Sequence, residues 1–205
     1  MQRYLDHESG RPLLHFRAYR RLEAEGLGRT GWLEAWTELD NGVFRYDVTG
    51  EGGSEGVRTR VLRKVLESER QAWQTGEAQR STITPANYEF ERPDEAQGDL
   101  LKILLKPRRK GKLMVDGVMF LARDAAELVR VEGRLVSSPS FWVKHVDITR
   151  QYQRINGYNV PVNVDSIADL RLAGKAIFRM SYQYAQINGR ETFAPVNTIA
   201  SVGSR

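Results

Sequence analysis

The stretch from Phe141 to Ile187 constrains the fold most, because apolar and polar residues alternate along three long runs within it. Such alternation, with a period of two, places successive side chains on opposite faces of a β-strand. Apolar residues form one face of the last run, namely Ala176, Phe178, Met180, Tyr182 and Tyr184. Asn156-Gly157, between the first two runs, is typical of a tight hairpin turn. The stretch predicts a broad antiparallel sheet with one apolar face.

Residues 12–49 show the same alternation and predict a first meander of three strands. The first run, Leu13 to Glu25, has an apolar face made of Leu14, Phe16, Ala18, Leu22 and Ala24. Thr30–Leu39 and Val43–Thr49 follow, and Asp40-Asn41-Gly42 between them is a strong hairpin signal. Residues 1–11 are interpreted as an N-terminal tail.

A helix is predicted over residues 54–76, after a glycine-rich loop from Gly50 to Gly56. Its apolar stripe recurs at helical spacing and comprises Val57, Val61, Leu62, Val65, Leu66, Ala72 and Trp73. Ser54 suits the N-cap, Glu55 suits the positive helix N-terminus, and Gly76 suits the stop. A single amphipathic helix among strands must bury its stripe against the apolar face of the sheet.

Strands resume in residues 86–187, the main antiparallel meander, and residues 188–205 form a tail or an edge strand around Val196 to Val202. The whole chain of 205 residues is expected to be one domain. About ten strands, one long helix and no βαβ alternation indicate a mainly β (α+β) fold. We therefore predict a curved antiparallel sheet, or incomplete β-barrel, with the long amphipathic helix on its concave face.

Composition excludes several classes of protein. Hydrophobic residues make up 40% and charged residues 28%, which is typical of a soluble globular domain. The absence of cysteine excludes disulfides, thiolate metal sites and cysteine nucleophiles. The net charge of +5 is a modest surplus with both signs interspersed, so no nucleic-acid partner is predicted.

Gly52-Gly53-Ser54-Glu55-Gly56 matches the G-x-S-x-G pattern of a serine nucleophile. That motif belongs at the top of a parallel sheet with crossover helices, which this chain lacks. A glycine-rich connector with a capping serine is therefore the favoured interpretation. A serine hydrolase using Ser54, with His145 as the base, is the less favoured alternative.

No catalytic residue, cofactor or metal site is predicted. His145 and Asp147 share a strand face, but an exposed polar face explains them better than a two-ligand site. The basic cluster from Lys106 to Lys112 is interpreted as a solvent-exposed hairpin tip. Its Arg108, Arg109 and Lys110 are candidates for a peripheral contact with anionic lipid head groups.

The candidate ligand site is predicted by comparing the apolar surface of the sheet with the area that one helix can cover. About ten strands offer more apolar surface than one helix covers, so a curled sheet would leave an apolar cleft for a lipophilic ligand. The predicted lining residues are Trp73, Trp142, Tyr152, Phe178, Met180 and Tyr182.

The second half resembles a known family in its rhythm of strands and turns. The resemblance rests on the runs 113–117, 128–133, 139–142, 152–161 and 174–184, including Asn156-Gly157, Val160-Pro161 and the paired tyrosines Tyr182 and Tyr184. They are similar to the LolA- and LolB-like periplasmic proteins that sort outer-membrane lipoproteins, and to uncharacterised members of that superfamily. The resemblance implies an incomplete barrel whose concave face, covered by helix, accepts acyl chains.

The function expected from residues and resemblance together is non-enzymatic binding of a hydrophobic small molecule, lipid, acyl chain or lipoprotein in the bacterial envelope. The expected location is the periplasm, with a signal peptide already removed. The alternative is a structural or interaction module of an envelope complex, which would have a filled interior.

Overall fold

The computed structural model describes residues 12–91, 99–125, 127–138, 140–171 and 174–192. Strands dominate this part of the chain, as the alternation predicts. They are β1 (His15–Gly26), β2 (Arg29–Asp40), β3 (Val43–Gly53), β4 (Tyr88–Glu91), β5 (Leu100–Pro107), β6 (Val115–Ala122), β7 (Leu128–Leu135), β8 (Val143–Ile155), β9 (Tyr158–Leu170), β10 (Gly174–Ile187) and β11 (Arg190–Glu191). The N-terminal tail and the edge strand expected around Val196 to Val202 lie outside the described residues.

One long helix of 20 residues connects β3 to β4. It begins as α1 (Glu55–Val57), passes through a π-helical turn (Arg58–Leu62) and continues as α2 (Arg63–Gln74). Gly76 ends it in the left-handed conformation, and a short helix α3 (Glu77–Arg80) follows. No helix in the described ranges is long and apolar enough to cross a membrane.

The strands of the described residues belong to a single antiparallel sheet in the order β3-β2-β1-β10-β9-β8-β7-β6-β5-β4, with β11 paired to β10. Two meanders, β1–β3 and β4–β10, meet where β1 pairs with β10. The sheet is open, with β3 and β4 at its edges. Because the long helix joins these two edges, it must cross one face of the sheet. The predicted curved antiparallel sheet with one long helix is confirmed.

Asn-Gly turns close several hairpins. Asn41 and Gly42 have φ angles of 48° and 84°, and Asn156 and Gly157 have φ angles of 52° and 89°. Positive φ at both central residues gives the turn whose twist matches that of the flanking strands. Both predicted hairpin turns are therefore present.

The predicted loop at Gly50 to Gly56 is wrong in its first half, because β3 continues to Gly53. The glycines allow the Trp32 ring on β2 to lie directly against β3. A Cβ atom at Gly52 would come 2.6 Å from the indole Nε1 of Trp32. These glycines allow close packing within a strand. A glycine-rich sequence can indicate either such packing or a flexible loop.

The helix buries its stripe with one exception. Val57, Leu62 and Leu66 are buried, whereas Val61 is 40% exposed. The π-helical turn adds a residue to one turn, so the step of five residues from Val57 to Leu62 stays on one face. In a regular α-helix Val61, four residues after Val57, would lie on the buried face, as the sequence analysis predicted. This prediction is wrong.

The face of the sheet that contacts the helix is called the inner face, and the opposite one the outer face. Two groups of buried apolar residues lie on the inner face. The larger group joins helix residues to β1, β2 and β4–β10, and includes Leu22, Leu33, Leu62, Leu66, Ile103, Met119 and Met180. The smaller group comprises Phe16, Ala18, Leu39, Phe44, Val160, Tyr184 and Ile187. On β1 the two groups meet at residue 20.

Candidate functional site

The long helix lies over one side of the inner face. Its backbone comes closest to β1, β2 and β3. Polar contacts also tie it to this side: Arg58 and Arg63 each donate to the Glu51 carboxylate, at 2.7 and 2.8 Å. Buried side chains bridge the wider space between the helix and the meander β5–β10.

That space is filled in this structure, where the sequence had predicted an apolar cleft. Three methionines, Met114, Met119 and Met180, are buried there together with the helix residues Leu62 and Leu66. Methionine is flexible and unbranched, so it fills irregular gaps that a more rigid side chain would leave. The prediction of a cleft compared only the areas of sheet and helix. It did not consider that long side chains from the sheet would occupy the space between them.

A buried ion pair lies where the helix crosses the inner face. Arg20 of β1 is 1% exposed, and its side chain points inward between Ala18 and Leu22. Its guanidinium donates to both carboxylate oxygens of Glu69, with Nη1–Oε2 at 2.5 Å and Nη2–Oε1 at 3.0 Å. The Glu69 side chain is 25% exposed, so it approaches Arg20 from the solvent side. The Arg20 Nε is buried and has no hydrogen-bond partner among the described residues.

Aromatic rings surround this guanidinium. Its carbon lies 4.5 Å from the ring centre of Tyr182, 5.3 Å from that of Phe44 and 5.7 Å from that of Phe16. Tyr184 stacks on Tyr182, with ring centres 6.0 Å apart and planes 9° apart. Cation–π attraction and the Glu69 carboxylate together make burial of the charge tolerable.

The environment shifts the ionisation of the whole group. Burial alone would lower the pKa of the Arg20 guanidinium, but the Glu69 carboxylate raises it above its ordinary value. Burial raises the pKa of the Tyr182 phenol to about 12, against the opposing charge of Arg20. Burial also raises the pKa of the Tyr184 phenol well above its ordinary value. At neutral pH the Arg20 guanidinium is therefore charged and both phenols are neutral.

Five of the six predicted lining residues lie on the helix stripe or the inner face. Phe178 and Tyr152 pack against the larger buried group, and Met180 belongs to it. Trp73 packs against the smaller group, and Tyr182 packs against both. The structure thus places Trp73 and Tyr182 beside the Arg20 pair.

Trp142 is not brought together with the others. It is 61% exposed in the turn before β8, where its ring contacts that of Phe141, which is 75% exposed. The strand begins at Val143, and a bulge between Val143 and His145 interrupts the pairing with β9. The alternation therefore does not extend back to Trp142.

Sequence reasoning missed Arg20 and Glu69. Arg20 could have been found from the alternation along β1. It lies between Ala18 and Leu22, at a position whose side chain points to the inner face. Glu69 lies three residues after Leu66, which places it on the buried side of the helix. A charged residue on each of two facing apolar stripes is a signal for a buried pair.

A second arginine, Arg150 on β8, also lies on the inner face, because its cross-strand neighbours Val131 and Val164 are buried there. It makes no ion pair or hydrogen bond with any described residue. Its positive charge reaches Tyr182, where it acts together with that of Arg20.

The residues of the hydrolase alternative are not assembled. His145 Nε2 lies 2.6 Å from the Asp169 carboxylate on the outer face. Ser54 is at the N-cap position but makes no side-chain capping bond, and within the described chain it does not contact His145. No three acidic or histidine side chains in this part of the protein are placed to share a metal ion.

The basic hairpin is largely paired within the protein. Arg108 lies 3.0 Å from the Glu89 carboxylate, and Arg109 lies 3.5 Å from that of Glu77. Lys110 makes no ion pair with a described residue. The charge available to an anionic surface is therefore smaller than the sequence suggests.

The two best-formed cavities of the described residues both lie on the outer face. The larger, of 1360 Å³, is a groove bounded by the basic hairpin and by β6–β10. The ion pair Arg134–Asp147, at 2.8 Å, and the exposed Ile167 line it. The smaller, of 210 Å³, lies beside Arg21 and Arg179.

No family model matches the sequence, and comparison with curated proteins gives no match. Two solved structures are similar in architecture. One is a LolA superfamily protein from Nitrosomonas europaea, 8% identical over 93% of each chain, with a TM-score of 0.43. The other is a DUF1329 family protein from Desulfovibrio piger, 10% identical over 89% of each chain, with a TM-score of 0.44.

Proposed function

We propose that the protein binds a lipid, an acyl chain or another apolar ligand between the long helix and the inner face of the sheet. The protein binds and carries this ligand in the periplasm and does not act on it as an enzyme. The acyl chain can belong to a free lipid or to a lipoprotein. The helix moves away from the inner face of the sheet to admit the ligand and returns to cover it.

The observation that carries this proposal is the way in which the helix covers the sheet. Its backbone comes closest to β1–β3, and side chains fill the space toward β5–β10. Side chains such as Met119 and Met180 can change rotamer without moving a strand. An acyl chain entering this space would replace contacts that the protein now makes with itself.

The driving force is burial of apolar surface, at about 0.8 kcal/mol for each CH₂ group removed from water. Repacking of the methionines and breaking of the Arg20–Glu69 pair oppose it. A chain of twelve or more carbons would supply about 10 kcal/mol before these costs are subtracted. Short apolar molecules should therefore bind weakly.

Unloading requires contact with a membrane or another acceptor. Lys110 and the exposed Phe141 and Trp142 are available for such a contact. Arg108 and Arg109, the other candidates, would first have to leave Glu89 and Glu77.

Two measurements test the proposal. Mass spectrometry of the purified protein, followed by titration with a long-chain lipid, should detect a bound ligand. Because the chain has no cysteine, Ser68→Cys on the helix and Gln183→Cys on the outer face of β10 can carry spin labels. The distance between the labels should lengthen on lipid addition. Absence of both co-purified and titrated lipid would contradict the proposal.

A second candidate function is an interaction module of an envelope complex. The filled interior and the outer groove of 1360 Å³ favour it. It predicts a partner that is captured by the native protein and lost on neutralising Arg108, Arg109 and Lys110. Arg45→Gln, an exposed substitution on β3, is the control and should leave capture unchanged.

A further inference from the structure

The Arg20 group has the form of a carboxylate-binding site that the protein itself occupies. A guanidinium presents paired N–H donors whose spacing matches the two oxygens of a carboxylate. Both oxygens of Glu69 are bound in this way, at 2.5 and 3.0 Å. The remaining surroundings of the guanidinium are the rings of Phe16, Phe44 and Tyr182.

Glu69 belongs to the covering helix, whereas every other member of this group belongs to the sheet. When the helix moves away, Glu69 moves with it and Arg20 stays on β1. An arginine left on an apolar face without a partner is costly, because its buried charge then has no counter-ion. Opening is therefore favoured by any ligand that brings its own carboxylate to Arg20.

We propose that the ligand is an amphiphile with a carboxylate head, and that this head replaces Glu69 on Arg20 when the helix opens. This inference rests on the proposed function and specifies its ligand class. Arg150, on the same face and without an ion pair among the described residues, adds a second positive charge that favours an anion. Glu69 is thus a built-in competitor that keeps the empty site closed.

The experiment compares palmitate with its methyl ester, which has the same acyl chain and no charge. Displacement of a fluorescent fatty-acid probe measures both affinities. The native protein should bind the acid about 10- to 100-fold more tightly than the ester, the range that hydrogen bonds to a charged group supply. A phospholipid, tested in the same way, distinguishes a phosphate head from a carboxylate head.

Three variants locate the preference. Glu69→Gln weakens the pair that any ligand must break, so it should strengthen binding of both the acid and the ester and keep the preference for the acid. Arg150→Gln, which breaks no ion pair of the described structure, should weaken acid binding alone. The double variant Arg20→Met with Glu69→Leu replaces the pair by apolar groups, keeps the interior packed and should abolish the preference. Glu67→Gln, two residues from Glu69, is the matched control and should leave the preference unchanged.

The outcomes separate this inference from the proposed function. If acid and ester bind equally well, or the preference survives in the double variant, the carboxylate site is wrong while the apolar site stands. If a phospholipid binds through Arg20 and palmitate does not, the head group is a phosphate and the carboxylate assignment is wrong. If none of the three ligands binds, the proposed function itself fails.

Discussion

The two faces of the sheet handle charge in opposite ways. The outer face carries paired charges that stay in contact with water, such as Arg134 and Asp147, whose side chains are 56% and 52% exposed. The inner face carries the Arg20–Glu69 pair, whose arginine is removed from water almost completely. The same alternation along the same strands produces both faces.

The difference shows where a charged pair has consequences. Exposed pairs are screened by water and salt, so most contribute little to stability. A buried pair stabilises little relative to apolar residues, yet breaking it is costly because one charge is left without a partner. Loss of either partner of the inner pair should therefore destabilise the contact between the helix and β1, whereas loss of an outer pair should have little effect.

The largest expected effect tests the inner face directly. Leu66→Ala leaves a cavity at a fully buried position of the helix and should lower the free energy of unfolding by about 4 kcal/mol. Val61→Ala, on the exposed side of the same helix, should change it by less than about 1 kcal/mol. Chemical denaturation measures both. Similar losses for the two variants would mean that the helix does not pack as described.

Breaking the buried pair should come next in size. Glu69→Ala leaves Arg20 without a counter-ion and should cost about 3 kcal/mol. The double variant Arg20→Met with Glu69→Leu should recover most of that loss, since apolar groups can replace a buried pair. Asp147→Ala on the outer face should cost much less than Glu69→Ala. Equal losses for Glu69→Ala and Asp147→Ala would remove the distinction between the faces.

An alkaline titration sharpens the comparison through Tyr182. A phenol whose pKa is higher in the folded than in the unfolded chain stabilises the fold below its unfolded value, and this contribution is lost as pH rises through the folded value. For Tyr182 the window runs from pH 10 to about 12. Thermal melting should show stability falling across this window, and Tyr182→Phe should make the fall shallower. An unchanged slope would place Tyr182 in water.

The smallest expected effect is on stability at acid pH, and it comes from the ion pair Arg134–Asp147 on the outer face. Hydrogen bonding from Arg134 lowers the pKa of the Asp147 carboxyl below its ordinary value of 3.8. A lowered pKa stabilises the fold above the unfolded value, and this contribution is lost as pH falls through the folded value. Asp147→Asn should reduce the acid sensitivity slightly, as melting curves below pH 4 would show. A large change would mean that the pair is less exposed than described.

Local patterns predicted most of the architecture. Alternation identified the strands of β1–β3 and β8–β10, and Asn-Gly pairs located the turns at residues 41–42 and 156–157. These features depend on neighbours in the chain, so a single sequence contains them. The π-helical turn at Arg58–Leu62 has no comparable local signal, and Val61 was misplaced for that reason.

The candidate site was less accessible to sequence reasoning, because it depends on which distant residues meet. Arg20 stands directly opposite Tyr182 only because β1 pairs with β10. Nothing in either run specifies that partner. Trp73 and Tyr182 were predicted as apolar lining, and both lie near the pair, but the charged residues that define the site were omitted. Arg20 was left out when the apolar face of the first run was described, although its inward position was the informative one.

The pairing of β1 with β10 has a consequence for folding. Within each meander, every strand pairs with its neighbour in the chain, so each can form through contacts of short sequence separation. The β1–β10 pairing joins residues that are separated by most of the chain, such as Phe16 and Ile187. Formation of such distant contacts is slow because a large loop must be closed first. The two meanders are thus expected to assemble early and independently, with their junction as the late, rate-limiting event.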